Sequence, residues 1–258
     1  MIYIQSFLFN VCFFVMMVII SFSAVIAGYI NGYRGINKVG EITSRTTEFL
    51  LKWIMGTTTE FRDQHLVPKD GRYIVACKHQ STWETISLHR FVPDPTVIMK
   101  ADLARIPVFG SVVKNAESIL IDRKQGKQAP LMIEGARKSF ENGRPVFIFP
   151  EGTRSEAGEV GKYRSGIFRM YNELQVPVLP IALNSGYFWP RRKFLKRKGH
   201  IVVQFLPIIE PGLSETEFMT TLKTRIESAC EHLSPEAMAK AHFDKNPNEH
   251  VKEGIHDK

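Results

Sequence analysis

The longest hydrophobic stretch of the chain comes first: residues 2–30 contain no charged side chain. A helix crosses the hydrocarbon core of a bilayer with about 20 apolar residues. The run therefore predicts a membrane helix, or a helical hairpin lying in one leaflet if it breaks near Asn10 or Ser21–Ser23. A cleaved signal peptide would carry a basic segment ahead of a shorter apolar stretch, and this run has none ahead of it. Arg34 and Lys38 follow it, so the positive-inside rule places the rest of the chain in the cytoplasm, at the inner membrane if the protein is bacterial. Over 41–65, Phe49, Leu50, Trp53, Ile54 and Met55 keep a rough helical spacing around Lys52, which predicts a helix along the membrane surface.

From residue 71 the pattern changes. Short apolar runs at 73–77, 96–99, 117–121, 145–149, 178–183 and 201–206 alternate with helix-like segments near 82–91, 103–114, 128–141 and 164–174. Alternation of this kind predicts an α/β domain whose mostly parallel central sheet is flanked by helices. Ser214-x-x-Glu217 is a capping box opening a helix to Leu233, with Phe218, Leu222, Ile226 and Cys230 facing the core. Beyond Phe243 the chain is polar and highly charged. The expected organisation is a membrane segment over 1–31, a membrane-surface helical region over 32–66, a catalytic α/β domain over 67–243, and a flexible tail over 244–258.

The net charge of +8 and a pI near 9.4 favour an anionic partner. Much of the excess is concentrated at Arg191, Arg192, Lys193, Lys196, Arg197 and Lys198, interleaved with Phe188, Trp189, Phe194 and Leu195. Such a pattern suits an anionic bilayer, where each Lys or Arg contributes about 1 kcal/mol. It also occurs in single-strand nucleic-acid binders; the apolar N-terminus on the same chain favours the membrane, with Trp189 as part of that surface. Cys12, Cys77 and Cys230 are widely separated and form no disulfide framework, and His and Cys show no zinc-ligand spacing.

Candidate chemistry begins where the first apolar run of the α/β part ends. Lys78-His79-Gln80-Ser81 interrupts it, and Ser81-x-x-Glu84 opens a helix. With His79 in the strand-to-helix loop, its ring can fold back over the first turn and meet Glu84. The carboxylate would then fix the imidazole tautomer and stabilise its protonated form. Cys77, two residues earlier, raises the rival reading of a Cys–His acyl-enzyme. His79, Lys100, Arg123 and Arg154 each follow an expected strand, so one rim of the sheet could collect all four. Lys162 is a weaker anion-binding candidate.

His79-Gln80-Ser81-Thr82-Trp83-Glu84 resembles the H-x-x-x-x-D motif of the lysophosphatidate, or glycerolipid, acyltransferase family, with Glu in place of the usual Asp. Ile121-Asp122-Arg123 is similar to the family's second motif, Phe149-Pro150-Glu151-Gly152-Thr153-Arg154-Ser155 to its third, and Val176-Pro177-Val178-Leu179-Pro180-Ile181 to its fourth. The resemblance implies an enzyme of phospholipid biosynthesis. It would move a fatty acyl group from acyl-CoA or acyl-carrier protein to the sn-2 hydroxyl of 1-acyl-sn-glycerol 3-phosphate, with no cofactor and no metal. His79 would be the base and Glu84 its orienting acid. Arg123 and Arg154 would bind the acceptor phosphate, with Glu151, Gly152 and Thr153 shaping the loop and Lys100 in support. Another lysolipid acceptor, such as a lyso-ornithine lipid, or a non-catalytic membrane lipid-binding role are the alternatives.

Overall fold

The computed structural model describes residues 1–122, 128–236 and 238. Arg123 and the expected tail over 244–258 lie outside them. The apolar N-terminus forms α1 (Ile2–Leu50), which is long and apolar enough to cross a membrane. It is not straight. Gly32 adopts φ 55 and ψ −140, outside the helical region. On a straight helix Ala27 and Gly35 would stand about 12 Å apart along the axis. Here a Cβ on Gly35 would lie 2.3 Å from the Ala27 carbonyl oxygen. The chain therefore folds back at Gly32 into two helical arms, with the break later than Asn10 or Ser21–Ser23.

The second arm continues through a π-helical turn (Leu51–Met55) closed by Gly56 at φ 68. Residues 57–62, expected within a helical region, instead form β1 (Thr57–Arg62). Three threonines favour extended backbone. Glu60 and Arg62 suit a sheet edge, where charged side chains oppose further pairing.

Six more strands follow: β2 (Ile74–Cys77), β3 (Thr96–Lys100), β4 (Ile119–Ile121), β5 (Val146–Ile148), β6 (Val178–Leu183) and β7 (Gly199–Phe205). They join β1 in one sheet of order β1-β7-β6-β2-β5-β3-β4. All neighbours pair in parallel except β6 and β7. The helices between them are α2 (Trp83–Ser87), α3 (Phe109–Asn115), α4 (Ala129–Glu141), α5 (Gly166–Leu174), α6 (Ser185–Phe188) and α7 (Glu215–His232). The capping box at Ser214 and Glu217 is complete, with both reciprocal bonds made.

The side chains of β2 alternate between the two faces of the sheet, as the pleat requires. Ile74 and Ala76 pack in a core with residues of α4, α5 and α7. Tyr73, Val75 and Cys77 pack in a second core with Trp83, Phe91, Phe147 and Phe9 of α1. The first arm of α1 thus lies against the domain. Its buried positions, Ser6, Phe9, Met16, Ala24 and Gly28, recur at helical intervals. Phe7, Leu8, Phe14, Val15, Ile19 and Phe22 on its other sides remain exposed.

Candidate active site

The carboxyl ends of β2, β3, β4, β5 and β6 share one edge of the sheet, where open α/β folds collect ligand-binding loops. β2 ends at Cys77, the chain turns through 78–82, and α2 begins at Trp83. His79 sits in that turn, and its Nδ1 lies 2.9 Å from Glu84 Oε1. The same oxygen accepts from the backbone N–H of Gln80 at 2.7 Å and of Ser81 at 2.6 Å. Glu84 Oε2 accepts from the Ser185 hydroxyl at 2.8 Å. Glu84 is fully buried, and its partners are all donors, so its oxygens act as acceptors and His79 carries its hydrogen on Nδ1. The other ring nitrogen, Nε2, is left to take a proton. The capping box expected at this helix is half made: Glu84 reaches back to Ser81, while the Ser81 hydroxyl accepts from Trp83 N–H at 3.1 Å.

The His79 ring is also held from its face. Phe149 stacks on it with centroids 3.8 Å apart and planes 16° from parallel. Phe149 follows β5, and its loop turns at Gly152, whose φ of 70 is a conformation other residues adopt at a cost. Ser155 N–H donates to the His79 carbonyl at 2.9 Å, tying the β5 loop to the β2 loop.

A cavity of about 320 Å³ brings His79 together with Lys100, Gly152, Thr153 and Arg154. Arg154 also donates to the Thr82 hydroxyl at 2.8 Å. Burial lowers its pKa, and the nearby charge of Glu84 opposes that shift. Lys100 is exposed and paired with Asp102. A second cavity of about 360 Å³ shares His79 and Phe149 and is walled by Ile98, Ile121, Met132, Ile148 and Ile167. A larger cleft of about 1020 Å³, beside α7, is lined by Glu227, Glu231 and Glu236 but by no histidine. Among the described residues no group of His, Cys, Asp and Glu is placed to hold a metal ion.

A model of the acyltransferase family matches residues 58–184. A 1-acyl-sn-glycerol-3-phosphate acyltransferase of Pseudomonas aeruginosa is 33% identical over 181 residues, which cover 70% of this chain and 70% of that protein. The chain belongs to the acyltransferase family. The human 1-acyl-sn-glycerol-3-phosphate acyltransferase alpha is 30% identical over 191 residues, covering 73% of this chain and 68% of the human protein. Among solved structures, the 1-acyl-sn-glycerophosphate acyltransferase of Thermotoga maritima has the same fold. It aligns with a TM-score of 0.76 over 91% of this chain and 98% of its own, at 20% identity.

Several side chains of this acyltransferase stand elsewhere than the sequence suggested. Glu151, expected beside the acceptor phosphate, is buried and turned inward: Oε1 accepts from Lys78 Nζ at 2.9 Å and Oε2 from His79 N–H at 3.0 Å. Lys78, passed over in the sequence, is completely buried and also binds Glu227 of α7 at 2.8 Å and the Glu159 carbonyl at 3.0 Å. Buried charges of this kind persist only when paired and hydrogen-bonded. This network braces the backbone of the loop that carries His79. Cys77 is wholly buried, and burial raises its thiol pKa well above the ordinary value, so no thiolate is available for an acyl-enzyme. Lys162 is exposed and lines neither of the two cavities beside His79.

The basic segment after α6 divides. Arg192, Lys193, Arg197 and Lys198 are exposed. Trp189 and Lys196 are not. Trp189 packs edge-on against Phe9 and Phe13 of α1, both at 5.1 Å between centroids. Lys196 donates to the carbonyls of Lys193 and Phe194, and burial pulls its pKa down to about 8. Arg191 and Arg192 line the cavity that holds His79 and Arg154.

Proposed function

We propose that this acyltransferase moves a fatty acyl group from acyl-CoA or acyl-carrier protein onto the sn-2 hydroxyl of 1-acyl-sn-glycerol 3-phosphate, giving phosphatidate. The observation that carries this reading is the meeting, around one cavity, of an acid-oriented imidazole with Arg154 and Lys100. Guanidinium groups bind phosphate through paired bonds. An acceptor phosphate held there would bring its neighbouring hydroxyl toward His79.

In this mechanism Nε2 of His79 takes the hydroxyl proton as the oxygen attacks the thioester carbonyl carbon. Glu84 stabilises the imidazolium that forms. The C–S bond then breaks, and the proton passes from His79 to the departing thiolate. No covalent enzyme intermediate is needed. The acyl chain is assigned to the second cavity, where Ile98, Ile121, Met132, Ile148 and Ile167 supply apolar wall. Arg123, outside the described residues, remains a second phosphate ligand in this proposal.

The domain works at the cytoplasmic face of a membrane, with α1 embedded in one leaflet. Two observations support that placement. The first arm of α1 is held by the domain from Ser6 to Gly28, and its uncovered faces are apolar. Exposed Phe194, Lys193, Arg197 and Lys198 extend this side with the mixture of apolar and basic groups that suits an anionic bilayer.

The test is purified protein in mixed micelles with labelled lysophosphatidate and either acyl-CoA or acyl-carrier protein. Phosphatidate should form, and His79→Ala should lower kcat by about 10²–10⁴-fold, the usual contribution of a positioned base. Thioester consumption at the same rate with and without lysolipid would replace this reading with a thioesterase.

A further inference from the structure

Trp189-Pro190-Arg191-Arg192 follows α6 and lies outside the four sequence motifs. Trp189 anchors this stretch beneath α1. Arg191 then donates from Nη1 to the Arg154 carbonyl at 2.5 Å, fastening the stretch to the β5 loop. As a result Arg191 and Arg192 face the cavity of His79 beside Arg154, although the three arginines come from segments nearly forty residues apart. Among the described residues none of the three is within ion-pair distance of a carboxylate. Each neighbouring arginine acts on Arg154 in the same direction as burial, disfavouring its charge. Glu84 opposes that shift, yet it stands beyond ion-pair distance and is engaged with His79; the three like charges still repel one another, and an anionic ligand relieves that repulsion.

We propose that Arg191 and Arg192 complete, with Arg154, a guanidinium cluster that holds the terminal phosphate of the acceptor and selects a phosphomonoester over a lysolipid whose phosphate is further esterified. The inference rests on the lysophosphatidate reading above. A phosphomonoester carries a charge of about −1.5 to −2 near pH 7 and presents three oxygens. A diester carries one charge and presents two free oxygens. Three planar forks match the former, and the match would be lost with one fewer charge and oxygen.

Arg191→Gln and Arg192→Gln are compared with wild type in detergent micelles, with lysophosphatidate and lysophosphatidylglycerol as acceptors. Wild type is measured first; no turnover on lysophosphatidate refutes the proposed function and this inference together. With turnover present, each variant should raise KM for lysophosphatidate about 10-fold or more, as expected for a lost charge-assisted bond, with kcat within about threefold. The preference for the monoester over the diester should fall by a similar factor. Arg192 is exposed and its replacement disturbs no packing, so it remains informative if Arg191→Gln folds poorly. Unchanged KM in Arg192→Gln, or an equal loss on both acceptors, overturns the inference while leaving the proposed function standing. So does weaker vesicle binding with micelle kinetics unchanged, which would make these residues part of the membrane surface alone.

Discussion

Replacing Glu84 by Gln separates charge from hydrogen bonding at the base. The amide oxygen of Gln can stand where Oε1 stands and accept from Gln80 N–H, Ser81 N–H and His79 Nδ1. Its amino group can donate to the Ser185 hydroxyl, which now accepts instead of donating. Fold and tautomer therefore survive, and what disappears is the negative charge opposite the imidazolium. With Glu84 fully buried and the His79 ring almost so, two unit charges about 4 Å apart interact by about 4 kcal/mol at an effective dielectric of 20. The proton is only partly on the imidazole at the transition state, so about half to all of that is lost. At 1.36 kcal/mol per decade, kcat should fall by about 30- to 1,000-fold. The assay is steady-state turnover of labelled lysophosphatidate, with thermal melting in parallel. Turnover within about threefold of wild type, at an unchanged melting temperature, would falsify the orienting-acid role and leave Glu84 as a helix cap.

Lys78→Met should leave the buried Glu151 carboxylate without its cation and destabilise the domain by about 3–5 kcal/mol, read as a fall in denaturant midpoint; a change under 1 kcal/mol would show that the network relaxes. His89 lies against Gly40 of α1, and burial lowers its pKa to about 4. Its neutral form is the folded form, so its stability contribution is complete above the unfolded value near 6.5 and lost as pH falls toward 4. The loss is about 3 kcal/mol at most, and His89→Asn should flatten the pH dependence of urea unfolding in that window. Gly40→Ala would set a Cβ 2.4 Å from the His89 ring and should cost about 1–3 kcal/mol, visible as a lower melting temperature.

The contact between His79 and Glu84 was legible because its determinants are local. An apolar run ending in a polar turn, followed by a capping pattern, brings residues five apart into contact only in a strand-to-helix loop. Ser185, which holds the second oxygen of Glu84, lies 101 residues further along, and no spacing connects the two. Phe149 follows a strand on the same rim as His79, and that placement was a readable hint of their stacking. Glu151 carried a warning of its own: its charge has the sign of the phosphate it was expected to bind, so a buried cation such as Lys78 was the sounder partner. β1 was missed because Thr57–Arg62 holds a single large apolar residue, and an edge strand with one neighbour needs no more. Aromatic and basic residues in alternation read alike whether they meet lipid or another helix. Trp189 and Lys196 meet α1, through contacts with Phe9 and Ser6 near the start of the chain.

The T-shaped packing of Trp189 on Phe9 and Phe13 makes the N-terminal helix more than a mooring line. Cutting the chain after the first arm to obtain a water-soluble enzyme would uncover Trp189 and release Ser6 from Lys196, on either side of Arg191 and Arg192. A shortened protein could keep its imidazole and its sheet yet bind its acceptor poorly. Lateral pressure on the helix in a lipid film should, by the same linkage, tune headgroup affinity without touching the proton-transfer step.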